Sequence, residues 1–257
     1  MDNKLKQQLR SGDKPLGTFC GLNSPTAIEC LGRTGLDFVI VDCEHSPAEA
    51  ETAMELIRAA ELSNLTPLCR VRDLSRSAVL KLLDVGARGL IVPNIHTVEE
   101  VQQVIDWAKF APIGQRGFCP TRKDGWGFDT ERTTAETMAV MNEATLLLPQ
   151  CETKEALENI EAITAMEGVD GIFIGPMDLA TSMGHLANPA HPEVQEAIRK
   201  IEEVVIPSDK FLATLAPNAE AAKKFYDKGY GLVYMMSDSG AIAKVAQDTV
   251  KAFREYV

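Results

Sequence analysis

The sequence predicts a (β/α)8 barrel, and three features of the chain lead to that prediction. Eight short apolar runs alternate with segments in which apolar residues recur at helical spacing. Glycines stand where helices should end, just before the next strand, as at Gly86, Gly168 and Gly229. The length of 257 residues suits one barrel, so we expect a single domain over 1–257.

The elements follow one another in regular order along the chain. The predicted strands cover 15–21, 37–42, 66–71, 88–93, 145–150, 170–175, 210–215 and 231–236. The predicted helices cover 47–63, 75–85, 98–108, 154–166, 192–204, 218–228 and 239–256. Asn218 and Ser239 are expected to be N-caps. A Gly/Pro-rich stretch over 111–144 follows the fourth strand, and we expect an active-site loop there, with a further helical stretch after it.

The composition excludes several classes of function. A net charge of −11 disfavours nucleic acid as a partner, because binding it requires a basic surface. No apolar stretch reaches the roughly 18 residues of a membrane helix, and the N-terminus lacks the apolar core of a signal peptide. The six cysteines include no C-x-x-C pair, which is typical of a reduced cytoplasmic protein. We therefore expect a cytoplasmic enzyme with small-molecule substrates.

Charged side chains stand where four of the predicted strands end. Asp42, Arg70 and Glu152 each close or follow an apolar run, and Asp178 comes shortly after another. In a parallel barrel these ends meet at one face, where the chemistry takes place. Two carboxylates are suitable ligands for Mg²⁺ or Mn²⁺. Together with Arg70 and the nearby His45, they predict a cation that holds an anionic 2-oxo acid.

Each of these residues also has a simpler interpretation. Asp178 is a possible cap for the helix that it begins, and Arg70 a possible member of a surface ion pair. His45 acts either as a general base or merely as a residue at the start of a helix. Cys43 and Cys151 are either nucleophiles or small packed apolar groups. The other histidines, at 96, 185 and 191, lie in predicted loops and lack the spacing of a metal site.

Five motifs resemble those of the HpcH/HpaI family of metal-dependent (class II) pyruvate aldolases, typified by 2,4-dihydroxyhept-2-ene-1,7-dioate aldolase and 2-dehydro-3-deoxyglucarate aldolase. The motifs are FVIVDCEH (38–45), LLDVGA (82–87), QCETKEA (150–156), GVDGIFIGPMDL (168–179) and MGHLANPAHPE (183–193). The resemblance spans nearly the whole chain. It implies a barrel of the phosphoenolpyruvate/pyruvate type and a homo-oligomer, namely a hexamer built as a trimer of dimers.

The resemblance also implies roles for particular residues. Glu152 and Asp178 would bind the divalent metal, which is Mg²⁺ or Mn²⁺ and, as a further possibility, Co²⁺. The substrate would lie against Gln150, Gly175, Pro176, Met177 and Asp178. The catalytic residues implied are His45, Arg70, Asp42 and Asp84. Of these, His45 with Asp42 would serve proton transfer, Arg70 would contact the oxo acid, and Asp84 would reach a neighbouring subunit's site.

The expected reaction is cleavage of a 4-hydroxy-2-oxo acid to pyruvate and an aldehyde through a metal-stabilised pyruvate enolate, as in the catabolism of aromatic compounds. A Schiff-base route would need a lysine at the C-terminal end of a strand, and the predicted strands supply none there. Two alternatives stay open. One is a lyase of the same superfamily that acts on a CoA thioester of the malyl-CoA or citramalyl-CoA type. The other is a non-catalytic barrel.

One segment departs from the family pattern. Where the family has small residues after Arg-Gly, the 116–127 loop carries Phe118, Pro120 and Trp126, which are bulkier and stiffer. We expect this loop to wall the aldehyde pocket and to favour short aldehydes without affecting the binding of pyruvate.

Overall fold

The computed structural model describes residues 3–128 and 131–256 and contains a closed barrel of eight parallel strands in sequential order. The predicted (β/α)8 fold is therefore confirmed. Residues 1, 2, 129, 130 and 257 of the predicted domain lie outside the described residues. The strands are β1 (Leu16–Cys20), β2 (Phe38–Asp42), β3 (Thr66–Arg70), β4 (Gly89–Val92), β5 (Leu146–Cys151), β6 (Gly171–Ile174), β7 (Phe211–Leu215) and β8 (Leu232–Ser237). Every observed strand boundary lies within one residue of its prediction.

Helices surround the barrel. They are α1 (Lys4–Ser11), α2 (Pro25–Leu31), α3 (Ala50–Leu62), α4 (Arg76–Asp84), α5 (Val98–Ala108), α6 (Thr134–Ala144), α7 (Lys154–Glu158), α8 (Ile160–Thr164), α9 (Pro176–Ser182), α10 (Pro192–Val205), α11 (Ala219–Lys228) and α12 (Asp238–Arg254). The predicted helix over 154–166 is in fact two short helices that meet at Asn159. Asn218 is confirmed as an N-cap, whereas Ser239 is wrong because Ser237 accepts the capping bond from the Gly240 N–H.

The core has two layers, because strand residues alternate between the inside and the outside of the barrel. The inner layer includes Phe38, Ile40, Leu68 and Phe173, all buried. The outer layer packs the other strand face, for example Val39 and Val41, against the surrounding helices. This packing holds the strand ends in fixed positions, and the side chains at those ends form the candidate site.

The N-terminal end of the barrel is closed by α1 and by a buried ion cluster. Leu5 and Leu9 of α1 belong to the inner core. The carboxylate of Asp170 accepts from the Lys6 ammonium at 2.5 Å and from the Lys109 ammonium at 3.2 Å. Burial lowers the pKa of Lys109, and Asp170 opposes that shift. Asp170 therefore compensates two cations that are almost excluded from water.

The 111–144 stretch is not where the sequence placed it. It follows α5 rather than β4, so it starts and ends at the N-terminal end of the barrel, opposite the strand ends that bear the predicted site. Its side chains contact the last turns of α3 and α4: Arg122 pairs with Glu61, and Arg116 pairs with Asp84 at 2.8 Å. Within one chain, the expectation that this stretch is an active-site loop is therefore wrong.

The last helix, α12, leaves almost its entire surface exposed. Its apolar residues Ile242, Val245 and Phe253 follow helical spacing and are each at least 60% exposed, and Asp238 is its buried residue. These residues form an apolar stripe along α12. In a barrel helix such a stripe normally covers the strands, but here it faces away from the inner and outer cores. No helix among residues 3–128 and 131–256 is long and apolar enough to cross a membrane.

Replacing Asp170 should destabilise the barrel strongly. Asp170→Asn keeps the size of the side chain but leaves the buried Lys6 and Lys109 charges uncompensated, which typically costs about 3–5 kcal/mol. Urea unfolding would measure this loss. Asp227→Asn is the matched control, because Asp227 forms only exposed ion pairs and should not shift the midpoint measurably. An unchanged midpoint in Asp170→Asn would show that backbone carbonyls satisfy both lysines.

Candidate active site

The C-terminal ends of the strands, called the mouth of the barrel below, hold most of the predicted site residues. Asp42 and Arg70 are the last residues of β2 and β3 and are direct partners in the strand register. Glu152 follows β5, and Gly175 follows β6. Because all strands run parallel, these residues form one ring. The strand-end rule thus placed them correctly in the fold.

Arg70 is held rigidly by two carboxylates and an aromatic ring. Its Nε and Nη2 donate to the two oxygens of Asp42 at 2.9 and 2.7 Å, and its Nη1 lies 3.1 Å from a Glu44 oxygen. The guanidinium stands over the ring of Phe19, 4.8 Å from its centre. Burial opposes the ionisation of Asp42, but the bonds from Arg70 outweigh it and lower the pKa of that carboxyl. The arrangement presents a permanent, oriented positive charge at the mouth.

Glu152 lies in the opposite electrostatic situation. Its Oε1 accepts from the backbone N–H of Asn94 at 2.7 Å, and its Oε2 accepts from the amide of Gln150. Burial is the main cause that raises the pKa of Glu152 to about 7, and the carboxylates of Asp178 and Glu44 add to it. Glu152 thus lacks the positive partner that Asp42 has.

Gln150 and Gly175 shape the surroundings of Glu152. The Oε1 of Gln150 is buried and finds no hydrogen-bond partner within the described residues, so it is free to meet a ligand. A Cβ at Gly175 would collide with the Glu152 carboxylate and approach the Gln150 amide to 3.1 Å. Only glycine leaves room for both side chains at this strand end.

Asp178 and His45 complete the mouth from the loops. Asp178 lies in the first turn of α9, after Pro176 and the half-exposed Met177, and that turn has no side-chain cap. Asp178, Glu152, Glu44 and His45 all line one cavity of about 530 Å³. His45 is largely exposed, with its Nε2 3.7 Å from a Glu44 oxygen. These four side chains therefore offer three carboxylates and an imidazole to a small ligand.

Sequence reasoning missed three contributors. Glu44 was noted within its motif but given no role, although it binds Arg70. The ring of Phe19 lies beneath the Arg70 guanidinium, and no sequence motif indicates this contact. Asn94 has a φ of 54°, a left-handed conformation that asparagine tolerates, and thereby aims its N–H at Glu152. The one sequence feature that could have indicated this bond is an asparagine, which tolerates a left-handed conformation, just after β4.

Two other groups of candidate residues behave differently from the ring. Burial raises the pKa of the Cys43 and Cys151 thiols to about 12, which makes them packing groups rather than nucleophiles near neutral pH. Asp84 ends α4 at the opposite end of the barrel, 2.8 Å from Arg116 and 3.5 Å from Lys123. Asp84 therefore does not join the mouth of its own chain, and its role toward a neighbouring subunit stays a prediction.

Comparisons with known proteins agree with this architecture. Residues 16–244 match the family model described as HpcH/HpaI aldolase/citrate lyase. The chain is 33% identical to 5-keto-4-deoxy-D-glucarate aldolase of Escherichia coli O139:H28 (strain E24377A / ETEC), over 98% of this chain and 97% of that protein.

Solved structures give the same result. The HpcH/HpaI aldolase from Desulfitobacterium hafniense DCB-2 is 27% identical, with a TM-score of 0.91 over 98% of this chain and 96% of that one. The citrate synthase SbnG is 29% identical, with a TM-score of 0.89 over 98% of both chains. The family model and the full-length relative together show that the chain belongs to the HpcH/HpaI aldolase/citrate lyase family.

Proposed function

We propose that this protein is a metal-dependent aldolase that cleaves a 4-hydroxy-2-oxo acid to pyruvate and an aldehyde. The observation that carries the proposal is the pairing of Glu152 and Asp178 in one cavity, with Arg70 fixed at a nearby strand end. The similarity to 5-keto-4-deoxy-D-glucarate aldolase supports the reaction class. It also makes a sugar-acid-derived aldehyde a candidate product.

The residues present fit a divalent cation. Glu152 is buried beside other carboxylates that raise its pKa, and the Gln150 Oε1 has no partner among the described residues. Two carboxylates with otherwise open positions are what Mg²⁺ and Mn²⁺ commonly use in proteins, and Co²⁺ accepts the same oxygens. Glu152 and Asp178 would hold the cation. When bound, it would polarise the 2-oxo group of the substrate and stabilise negative charge on that oxygen.

Arg70 and the first turn of α9 would bind and orient the oxo acid. The guanidinium is charged at any working pH and cannot rotate away, because Asp42 and Glu44 hold it. In the proposed reaction it would stabilise the oxygen on which charge develops when the C3–C4 bond breaks. Gly175, Pro176 and Met177, where α9 begins, would lie against the oxo acid.

His45 would accept the proton of the 4-hydroxyl group. It lines the same cavity as Glu152 and Asp178 and is open to solvent, so it can exchange that proton with water, and a proton delivered to C3 then completes pyruvate. Asp42 is a poor base, because its oxygens already accept from Arg70 and from the N–H groups of Glu44 and His45. Asp42 thus positions Arg70 and the backbone that carries His45, rather than taking the proton itself.

We also propose that the protein assembles as a homo-oligomer, with the hexamer implied by the family pattern as the expected form. The exposed apolar stripe of α12 supports assembly, because monomeric proteins rarely leave such a surface open. Asp84 and the 116–127 loop, which meet at the end opposite the mouth, would reach another chain in such an assembly. In that arrangement the loop would act on aldehyde preference in a neighbouring site.

The decisive test is an aldol assay with pyruvate and a panel of aldehydes, with and without EDTA. We expect turnover that EDTA abolishes, and a loss of both turnover and metal content in Glu152→Gln and Asp178→Asn. Glu155→Gln is the matched control, since Glu155 is an exposed acid that pairs only with His96 in the described structure. A pyruvate adduct trapped by borohydride would instead indicate an imine mechanism. Turnover restricted to acyl-CoA substrates would favour the thioester lyase. Absence of turnover with every substrate would favour a non-catalytic barrel.

Arg70→Lys should impair chemistry while preserving metal binding. A lysine cannot reproduce the two parallel bonds to Asp42, so the positive charge would no longer be fixed opposite the developing oxyanion. The loss of one such group typically costs about 10²–10³-fold in kcat. Steady-state kinetics with saturating Mn²⁺ would measure it. Arg58→Lys, on the exposed face of α3, should leave kcat unchanged. Equal kcat values for Arg70→Lys and Arg58→Lys would indicate that the role of Arg70 is structural.

The raised pKa of Glu152 predicts a pH dependence of stability in the presence of chelator. Between its usual value of 4.5 and about 7, the folded state binds a proton that the unfolded state has lost. Its contribution is therefore complete below about pH 4.5 and is lost as the pH rises to about 7. The free energy of unfolding of the wild type, minus that of Glu152→Gln, should fall across this range. Urea unfolding at several pH values would measure the difference. A difference independent of pH would contradict the assignment.

A further inference from the structure

Two histidines and a glutamate converge between α9 and α10, outside the candidate active site. Among the residues that the structure describes, one set of three metal-ligating side chains has its ligand atoms within 4.8 Å of one another: His185, His191 and Glu193. The two imidazoles stack with their centres 3.6 Å apart, and the His185 Nε2 lies 2.9 Å from a Glu193 oxygen. This proximity needs an explanation, because the proposed reaction uses none of the three.

The backbone holds the three side chains in place. The N–H of His185 donates to the carbonyl of Ala180, the N–H of Asn188 donates to the carbonyl of His185, and the N–H of His191 donates to the carbonyl of Asn188. The amide of Gln195 donates to the carbonyl of Pro189 at 2.7 Å. These bonds form a chain from the end of α9 to the start of α10. The backbone that carries the two rings is thus held in place before any ligand arrives, which lowers the entropic cost of binding.

The existing contacts of the two rings are ones that a metal ion can replace. The His185 Nε2 lies within hydrogen-bond distance of the Glu193 carboxylate, and a cation bound between them would take the place of the hydrogen bond. The His191 Nδ1 accepts from the Glu193 N–H at 3.3 Å, a long bond that costs little to lose. The imidazoles stack nearly parallel, so a modest rotation of each ring would be needed to aim both nitrogens at one ion. Glu193 is 69% exposed and His185 is 19% exposed, which gives an ion access from solvent.

We propose that His185, His191 and Glu193 form a second metal site, selective for Zn²⁺. Two neutral imidazoles and one carboxylate, with a water in the fourth position, are a tetrahedral zinc ligand set. The metal ligands proposed at the mouth, Glu152 and Asp178, are both carboxylates and suit harder cations, so the two proposed sites differ in chemistry. An ion here would connect the end of α9, the helix that carries Asp178, to the start of α10.

Zinc titration of the full chain tests the site. The background is the double variant Glu152→Gln with Asp178→Asn, in which the mouth has lost both of its proposed metal ligands. Calorimetry with ZnCl₂ should show one Zn²⁺ per chain. Adding His185→Gln or His191→Gln should weaken the affinity at least 10-fold. Adding His96→Gln should not change it, because His96 contacts Glu155 and Asn94 and does not belong to the cluster of three ligating side chains.

A second measurement needs no variant and so does not depend on how the variants fold. Diethyl pyrocarbonate labelling of the wild-type protein, followed by peptide mapping, should show that Zn²⁺ protects His185 and His191. Absence of zinc binding in the double variant, or an affinity unaffected by both His185→Gln and His191→Gln, would overturn the proposal. So would equal labelling of His185 and His191 with and without Zn²⁺. These zinc measurements remain interpretable even if the protein proves not to be an aldolase, because neither of them measures turnover.

Discussion

The chemistry of the mouth depends on an imbalance of charge. Asp42 and Glu44 are both engaged by Arg70, which is the guanidinium held at the strand ends. Glu152 and Asp178 have no cation of their own there among the described contacts, and Glu152 is buried. Burying one carboxylate beside others that are more exposed, as Glu152 is buried beside Asp178, is costly unless a positive charge joins them. A fold that keeps this arrangement does so for binding rather than for stability, which is why the pair is the centre of the proposed function.

The strands and their terminal residues could be predicted because they follow local rules. A buried parallel strand appears as a short apolar run, and the parallel topology then brings its end to a shared face. Asp42, Arg70 and Glu152 needed no further information to be placed there. The side-chain partners could not be derived in this way. Neither the bond from Asn94 to Glu152 nor the ring of Phe19 beneath Arg70 leaves a periodic signal, because both depend on three-dimensional proximity.

Sequence patterns were misleading for short helices, for the end of the barrel at which a loop lies, and for the surface that an apolar helix face contacts. The helices α1, α2 and α9 have eight residues or fewer, too few for helical periodicity to show. The 111–144 stretch was assigned to the mouth because it is rich in glycine and proline. It follows a helix, however, and loops that follow helices lie at the N-terminal end of the barrel. The pattern of α12 correctly indicated a helix, but periodicity cannot tell whether an apolar stripe faces its own barrel or another chain.

The spacing of the histidines in the sequence also failed to predict that two of them lie together. His185 and His191 are six positions apart, in a loop whose turn brings their rings together, whereas motif rules describe ligands on regular helices and ribbons. Once the fold is known, ligand chemistry separates the two proposed sites. Zn²⁺ binds more tightly than Mg²⁺ or Mn²⁺ to almost any set of protein ligands, so a site of carboxylates alone cannot exclude it by affinity. A nearby site with two imidazoles competes for zinc on favourable terms. The proposed His185 site would thereby help to keep the carboxylates at the mouth available to the cation of the proposed aldol cleavage.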